Sequence, residues 1–170
     1  LPVGTGPHEA ATSPDGRRVV VCNYGAQQPG HTLTVIDATT LSVVKTIDLS
    51  PNRRPHGIAF LADGRRVLVT SETEKRLLVV DLDAGTIEAA IDTQQNASHM
   101  VVRSGDGKRA FVANIASGSV SLVDLEPGKL AKIVETGRGS EGIPLHPTSG
   151  ESWVGNRAAD TLSVIDGATL

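Results

Sequence analysis

The sequence predicts an all-β protein built from four repeated antiparallel sheets, and three observations carry that prediction. Four anchor positions recur first: His8, His56, His99 and Glu141, separated by 48, 43 and 42 residues. Fixed offsets follow each anchor. Eight residues on stand Gly16, Gly64, Gly107 and Ser149; fifteen residues on stand Asn23, Ser71, Asn114 and Asn156. Each unit then closes alike, with "TVID" ending at Asp37, "LVVD" at Asp81, "SLVD" at Asp124 and "SVID" at Asp166. No stretch shows a sustained helical period with caps. One four-stranded sheet cannot bury both of its faces alone. A unit of ~40–45 residues that repeats is therefore expected to stack radially on its neighbours, as the blades of a β-propeller do. An open solenoid of stacked hairpins is the competing arrangement.

The second unit shows the elements in order. "GIAF" is short and apolar, and "ADGR" is a turn, since Asp-Gly favours two-residue hairpins. "RVLVTS" follows, rich in β-branched residues that suit a strand. After a polar loop comes "RLLVVD". "DAG" turns the chain again, and "TIEAAIDT" alternates apolar and polar as a half-buried outer strand should. The first unit differs in one respect. "AQQPGH" lengthens a loop, so its Asn-to-Asp spacing is 14 residues against 10 in the others. The whole chain reads as one propeller segment with units near 1–46, 47–90, 91–133 and 134–170.

Leu1 aligns with Ile47, Ile91 and Val134, and Leu170 with Leu41. The chain thus enters late in a fourth strand and leaves just before one. About five residues matching "SVVKT" at 42–46 are missing, and bridging that gap would span roughly 17 Å at ~3.3 Å per residue. The expectation is an open piece of a larger ring, or half of a ring completed by another chain. Exposed blade faces and unpaired edges would favour self-association. With no initiator Met and no visible secretory signal, the chain is expected to be processed or cut from something longer.

"SPDGRRVVVCNYG…TLTVIDATTLSVVKTIDL" and "GDGKRAFVANIASGSVSLVDLEPGKLAKIVETG" resemble the YVTN family of β-propeller repeats. The family pattern is a Pro-Asp-Gly turn, a Tyr-Val-Thr-Asn-like strand and a Val-Ile-Asp strand. Here the middle element reads "VVCN", "LVTS", "FVAN" and "WVGN". Ser71 in the Asn column and "HPTSGE" in place of Pro-Asp-Gly depart from it. The resemblance implies a bladed ring, often of seven blades, and a periplasmic, secreted or cell-surface location. Lactonases, the haem-binding domain of nitrite reductases and quinoprotein amine dehydrogenases share the fold.

Composition excludes several classes. Net charge is −3 with mixed signs and no basic face, so no nucleic-acid partner is implied. Aromatic residues are 2% of the chain, too few for a platform that stacks bases. No apolar run reaches the ~18 residues of a spanning helix. The lone Cys22 follows "VVV" and reads as a small buried hydrophobe.

The anchor column remains. In a propeller, the residue just before the innermost strand sits near the channel mouth. His8, His56, His99 and Glu141 would then converge there. Three readings stay open: a structural contact between blades, a binding site for a small polar ligand or a protein partner, and a divalent metal site such as zinc. No cofactor is otherwise implied. Asn23, Asn114 and Asn156, with Asp37, Asp81, Asp124 and Asp166, read as turn and inter-blade contacts. His31 and His146 read as loop residues. Function follows in two forms. One is an extracytoplasmic binding or scaffold module with its ligand at the mouth. The other is a lactonase- or lyase-like hydrolytic enzyme using the His/Glu cluster, with or without a metal.

Overall fold

A computed structural model of the chain describes residues 1–166; the end of the last unit, 167–170, lies outside the described residues. The first sheet runs β1 (Pro7–Thr12), β2 (Arg18–Gly25), β3 (Pro29–Asp37) and β4 (Ser42–Asp48). The second holds β5 (Pro55–Phe60), β6 (Arg66–Ser71), β7 (Arg76–Asp81) and β8 (Thr86–Asp92). The third holds β9 (Ser98–Arg103), β10 (Arg109–Asn114), β11 (Ser119–Asp124) and β12 (Lys129–Glu135). The fourth contains β13 (Glu151–Asn156) and β14 (Thr161–Asp166). Each sheet is an antiparallel meander in chain order, as β-propeller blades are. No helix among the described residues is long and apolar enough to cross a membrane.

Side-chain alternation makes one sheet serve two cores. On β6, Val67 and Val69 pack with Val20, Cys22 and Leu33 of the first sheet. Leu68 between them points the other way, into a core with Val101, Ala110 and Val112 of the third. On β10 the pattern repeats: Ala110 and Val112 face the second sheet, while Phe111 and Ala113 pack with Ile143, Val154 and Ile165 of the fourth unit. Three inter-sheet cores therefore join four units in sequence. Central strands need apolar residues on both faces, and "RVLVTS" and "RLLVVD" supply them. The outer strand β8 is half-buried: Ile87 packs into the core shared with the first sheet and, beyond a register slip, Ala89 and Ile91 into that shared with the third, while Thr86, Glu88 and Asp92 stay exposed.

In the fourth unit β13 and β14 form an antiparallel pair. Its inner segment runs antiparallel to β13 through the bridges Ser140–Asn156 and Leu145–Ser152, and through backbone bonds from Glu141 N to the Gly155 carbonyl, Gly155 N to Gly142, Trp153 N to Pro144 and His146 N to Glu151. Pro144 has no N–H to give to this pairing, so one bond of the ladder is missing there. Its far face is apolar and open. Trp153 pairs with Val164, and Leu162 lies on the same side, all three exposed.

The polar columns act as framework. Asn23 Nδ2 donates to Thr32 and Thr34, Asn114 Nδ2 to Ser119 and Ser121, and Asn156 Nδ2 to Thr161 and Ser163. Asp37 accepts from the backbone N–H groups of Thr39 and Thr40, and Asp81 from those of Asp83 and Ala84. Asp124 takes Arg109 instead. Cys22 is fully buried, and burial pushes its thiol far above the ordinary range.

Candidate functional site

The three histidines lie inside the inner strands rather than just before them. Each sits in a β-bulge. Pro7 pairs with Asn23 and Ala10 with Val21, so three steps on β1 match two on β2. The same slip occurs between Pro55–Ser71 and Ile58–Val69, and between Ser98–Asn114 and Val101–Val112. A bulge leaves one residue unpaired and re-aims its side chain. Repeated in three neighbouring sheets, it turns His8, His56 and His99 toward one another.

The result is a row of rings. The centroids of His8 and His56 are 4.1 Å apart, and those of His56 and His99 are 3.7 Å apart. Glu141 continues the row, with Oε1 3.7 Å from His99 Nε2. The structure thus brings all four anchor residues together. Close approach of β5 and β9 makes this packing fit. A Cβ on Gly57 would stand 2.5 Å from the His99 carbonyl oxygen. The bulge also frees the Gly57 N–H from its ladder, and Thr70 Oγ1 accepts it at 2.8 Å. The same hydroxyl donates to the His99 carbonyl at 2.6 Å, tying the second sheet to the third directly behind the imidazoles.

Three further side chains belong to the site, and none was singled out in the sequence. Glu72 Oε1 lies 2.5 Å from His99 Nδ1, and its Oε2 accepts from the Tyr24 hydroxyl at 2.6 Å. Tyr24 also stands edge-on to His56, with centroids 5.6 Å apart. Arg157 pairs with Glu141 at 3.3 Å. Tyr24, Glu72 and Arg157 each lie sixteen residues after an anchor, immediately after the Asn column. Ile115 fills that place in the third unit. The signal was a column whose chemistry changes from unit to unit, next to one that holds nearly constant.

Electrostatics separate the imidazoles. His56 is only 3% exposed, and its Nδ1 is buried without a hydrogen-bond partner. Such an orphaned group costs roughly 1–3 kcal/mol in a folded core. Burial, and then the neighbouring His99, lower its pKa to about 4 against the pull of Glu72. At pH 7 it is a neutral imidazole. Burial opposes ionisation of Glu72, but hydrogen bonds from His99 and Tyr24 outweigh it and hold the carboxyl below its ordinary range. Burial, then Glu72, raises the Tyr24 phenol.

Two compact donor sets result: His8 with Glu9 and His56, and His56 with Glu72 and His99. Within each set, one donor atom per residue lies within 4.8 Å of the others. Glu141 stands beyond both, engaged with Arg157. His31 and His146 stay apart from the row. His31 lies 4.0 Å from Asp48, and His146 Nδ1 accepts from the backbone N–H groups of Thr148 and Ser149.

Comparisons with known proteins agree with the fold. A family model described as "Cytochrome D1 heme domain" matches residues 1–165. Hydrazine synthase of Kuenenia stuttgartiensis superposes with a TM-score of 0.84 at 22% identity, over 99% of this chain and 49% of that one. A functionally unknown protein from Desulfotomaculum acetoxidans gives 0.78 at 17% identity, over 97% and 56%. The WD40 β-propeller domain of Doa1 gives 0.72 at 15% identity, over 93% and 49%. The chain therefore spans about half the length of each of these structures. No curated protein matches it.

Proposed function

This chain belongs to the cytochrome D1 heme domain family, and from that premise we propose that it is a propeller-type binding module whose small polar ligand sits at the channel mouth. The observation that carries the reading is the row His8–His56–His99, with a buried, unpartnered imidazole nitrogen at its centre. Glu72, Tyr24 and Thr70 hold that row in place. An assignment to the YVTN subtype, and to a periplasmic, secreted or surface location, rests on the repeat pattern alone and is part of the proposal.

The family name raises haem, and the residues at the mouth do not fit it. An axial imidazole must offer its nitrogen to an open plane wide enough for a macrocycle. His56 instead lies between two rings at 4.1 and 3.7 Å, with Tyr24 edge-on. The surroundings are carboxylates and imidazoles, whereas a macrocycle needs apolar cover on its faces. No step is derived through haem.

The test is a histidine side-chain 1H–15N spectrum of the chelator-treated chain during titration with nitrite, phosphate, acetate and glycine. At least one solute should shift the His56 and His99 resonances saturably while His31 and His146 stay still. No response to any of the four would overturn the reading. The Glu72–His99 pair favours a second reading, a hydrolytic enzyme, because a carboxylate that orients an imidazole suits a general base. That reading requires turnover of a lactone panel that His99→Ala abolishes.

Association with a second copy completes the proposal. Trp153, Leu162 and Val164 leave the outer face of the fourth unit apolar and exposed. Sedimentation velocity should show dimers that Leu162→Glu disperses. A wild-type chain that stays monomeric at high micromolar concentration would refute it.

A further inference from the structure

We propose that His56, Glu72 and His99 form a site for one divalent transition-metal cation of the zinc class, bound directly by the protein. This rests on the channel-mouth reading above and names the ligand. Two imidazoles and one carboxylate form a ligand set that zinc takes, with a fourth position left for water or an exogenous ligand. Nitrogen donors favour zinc, cobalt or nickel over calcium or magnesium, which prefer oxygen throughout.

Geometry supports the set. The three donor atoms lie within 4.8 Å of one another. A tetrahedral ion at ~2.0–2.2 Å from each asks for roughly 3.4 Å between donors, so side-chain rotation closes the widest gap by up to about 1.4 Å, and the ion displaces the 2.5 Å hydrogen bond between Glu72 Oε1 and His99 Nδ1. The backbones that carry the imidazoles are already fixed, because Thr70 ties Gly57 N to the His99 carbonyl. Tyr24 holds the second oxygen of Glu72 at 2.6 Å, the kind of outer contact that orients a ligating carboxylate.

An independent observation points to a ligand at the same place. His56 is almost wholly enclosed, and its Nδ1 has no partner within the protein. A buried imidazole serving only to pack sheets together would be expected to find one. His99, whose ring lies 3.7 Å from that of His56, and Glu72, its carboxylate partner, are both largely enclosed beside it. The other set, His8 with Glu9 and His56, is open to solvent at His8 and lacks a carboxylate held by an outer donor. The ion is therefore assigned to the inner set.

The experiment uses the full chain stripped with a chelator and dialysed. Zinc chloride is titrated in calorimetrically, and cobalt(II) is followed by visible absorption. The expected result is one ion per chain, with the intense d–d bands of a four-coordinate cobalt site. Glu72→Gln preserves shape, and with His99→Ala it should remove tight uptake. Tyr24→Phe should weaken uptake by ~10–100-fold, as the loss of an outer partner does. His146→Ala and His31→Ala should change nothing. Circular dichroism of each variant confirms that it folds. The proposal is overturned if the wild type takes up no zinc, or if Glu72→Gln and His99→Ala bind it as tightly as the wild type. The solute titration separates the two readings. Shifts of His56 and His99 without zinc uptake would remove the metal and keep the binding module; no response to either removes both.

Discussion

Replacing Thr70 by valine tests whether the histidine row is held by a single buried hydroxyl. Thr70 is fully enclosed, and its Oγ1 joins two sheets by accepting from Gly57 N and donating to the His99 carbonyl. Valine keeps the branched shape and removes both bonds. A net hydrogen bond is worth about 1 kcal/mol, and a buried group left without a partner costs roughly 1–3 kcal/mol. The Gly57 N–H lies in the bulge, outside the ladder, so it has no pairing between strands to fall back on. The expected loss is about 2–4 kcal/mol. For a domain of this length that lowers Tm by roughly 4–16 °C. Urea unfolding at pH 7 should show a lower midpoint with an unchanged slope. Thr70→Ser keeps the hydroxyl and should lose only about 1 kcal/mol, from its missing methyl. A Thr70→Val variant within ~0.5 kcal/mol of wild type would refute the argument, as would a serine variant as damaged as the valine one.

Three further outcomes follow from the same geometry. His56 titrates near 4 in the fold and near 6.5 when unfolded. Between those values the unfolded chain binds more protons, so stability should fall as pH drops through about 6.5 to 4, by about 2–3 kcal/mol in metal-free protein. Urea midpoints at pH 7 and 4.5 check this, and His56→Asn should flatten the difference. Gly57→Ala places a Cβ against the His99 carbonyl and should destabilise by ~1–3 kcal/mol while spreading the His56 and His99 resonances; a neutral effect would show that the strands can part freely. Cys22 should resist Ellman's reagent in the native chain and react fully in denaturant, because it is enclosed and its thiol is pushed far up. Rapid native labelling would contradict the inner core.

The frame was legible because the physics that builds it repeats. A Gly after Asp at 16, 64 and 107 supplies the left-handed turn, with φ of 72°, 65° and 71°. Alternation in "TIEAAIDT" gave the half-buried outer strand at β8. The fourth unit is the least regular. Its inner segment keeps the spacing and pairs with β13, yet Pro144 removes one ladder N–H, a local effect that column alignment does not weigh.

The site was half legible for a related reason. A residue recurring in every unit identifies a position common to all blades, and the anchor column did lead to His8, His56 and His99. What turns them into a site is what does not recur. Thr70 stands where the other units place Cys22, Ala113 and Gly155, and only a hydroxyl there can bridge two sheets. Glu72 stands where they place Tyr24, Ile115 and Arg157, and only its carboxylate reaches His99 Nδ1. The bulges that turn the rings inward leave no mark in composition, because they are a one-residue slip in pairing. In a repeat protein the constant columns set the geometry, and chemistry enters at the columns that vary. The second unit carries Thr70 and Glu72 in two such columns, beside His56, which is 3% exposed. That coincidence places the centre of the site on the second unit.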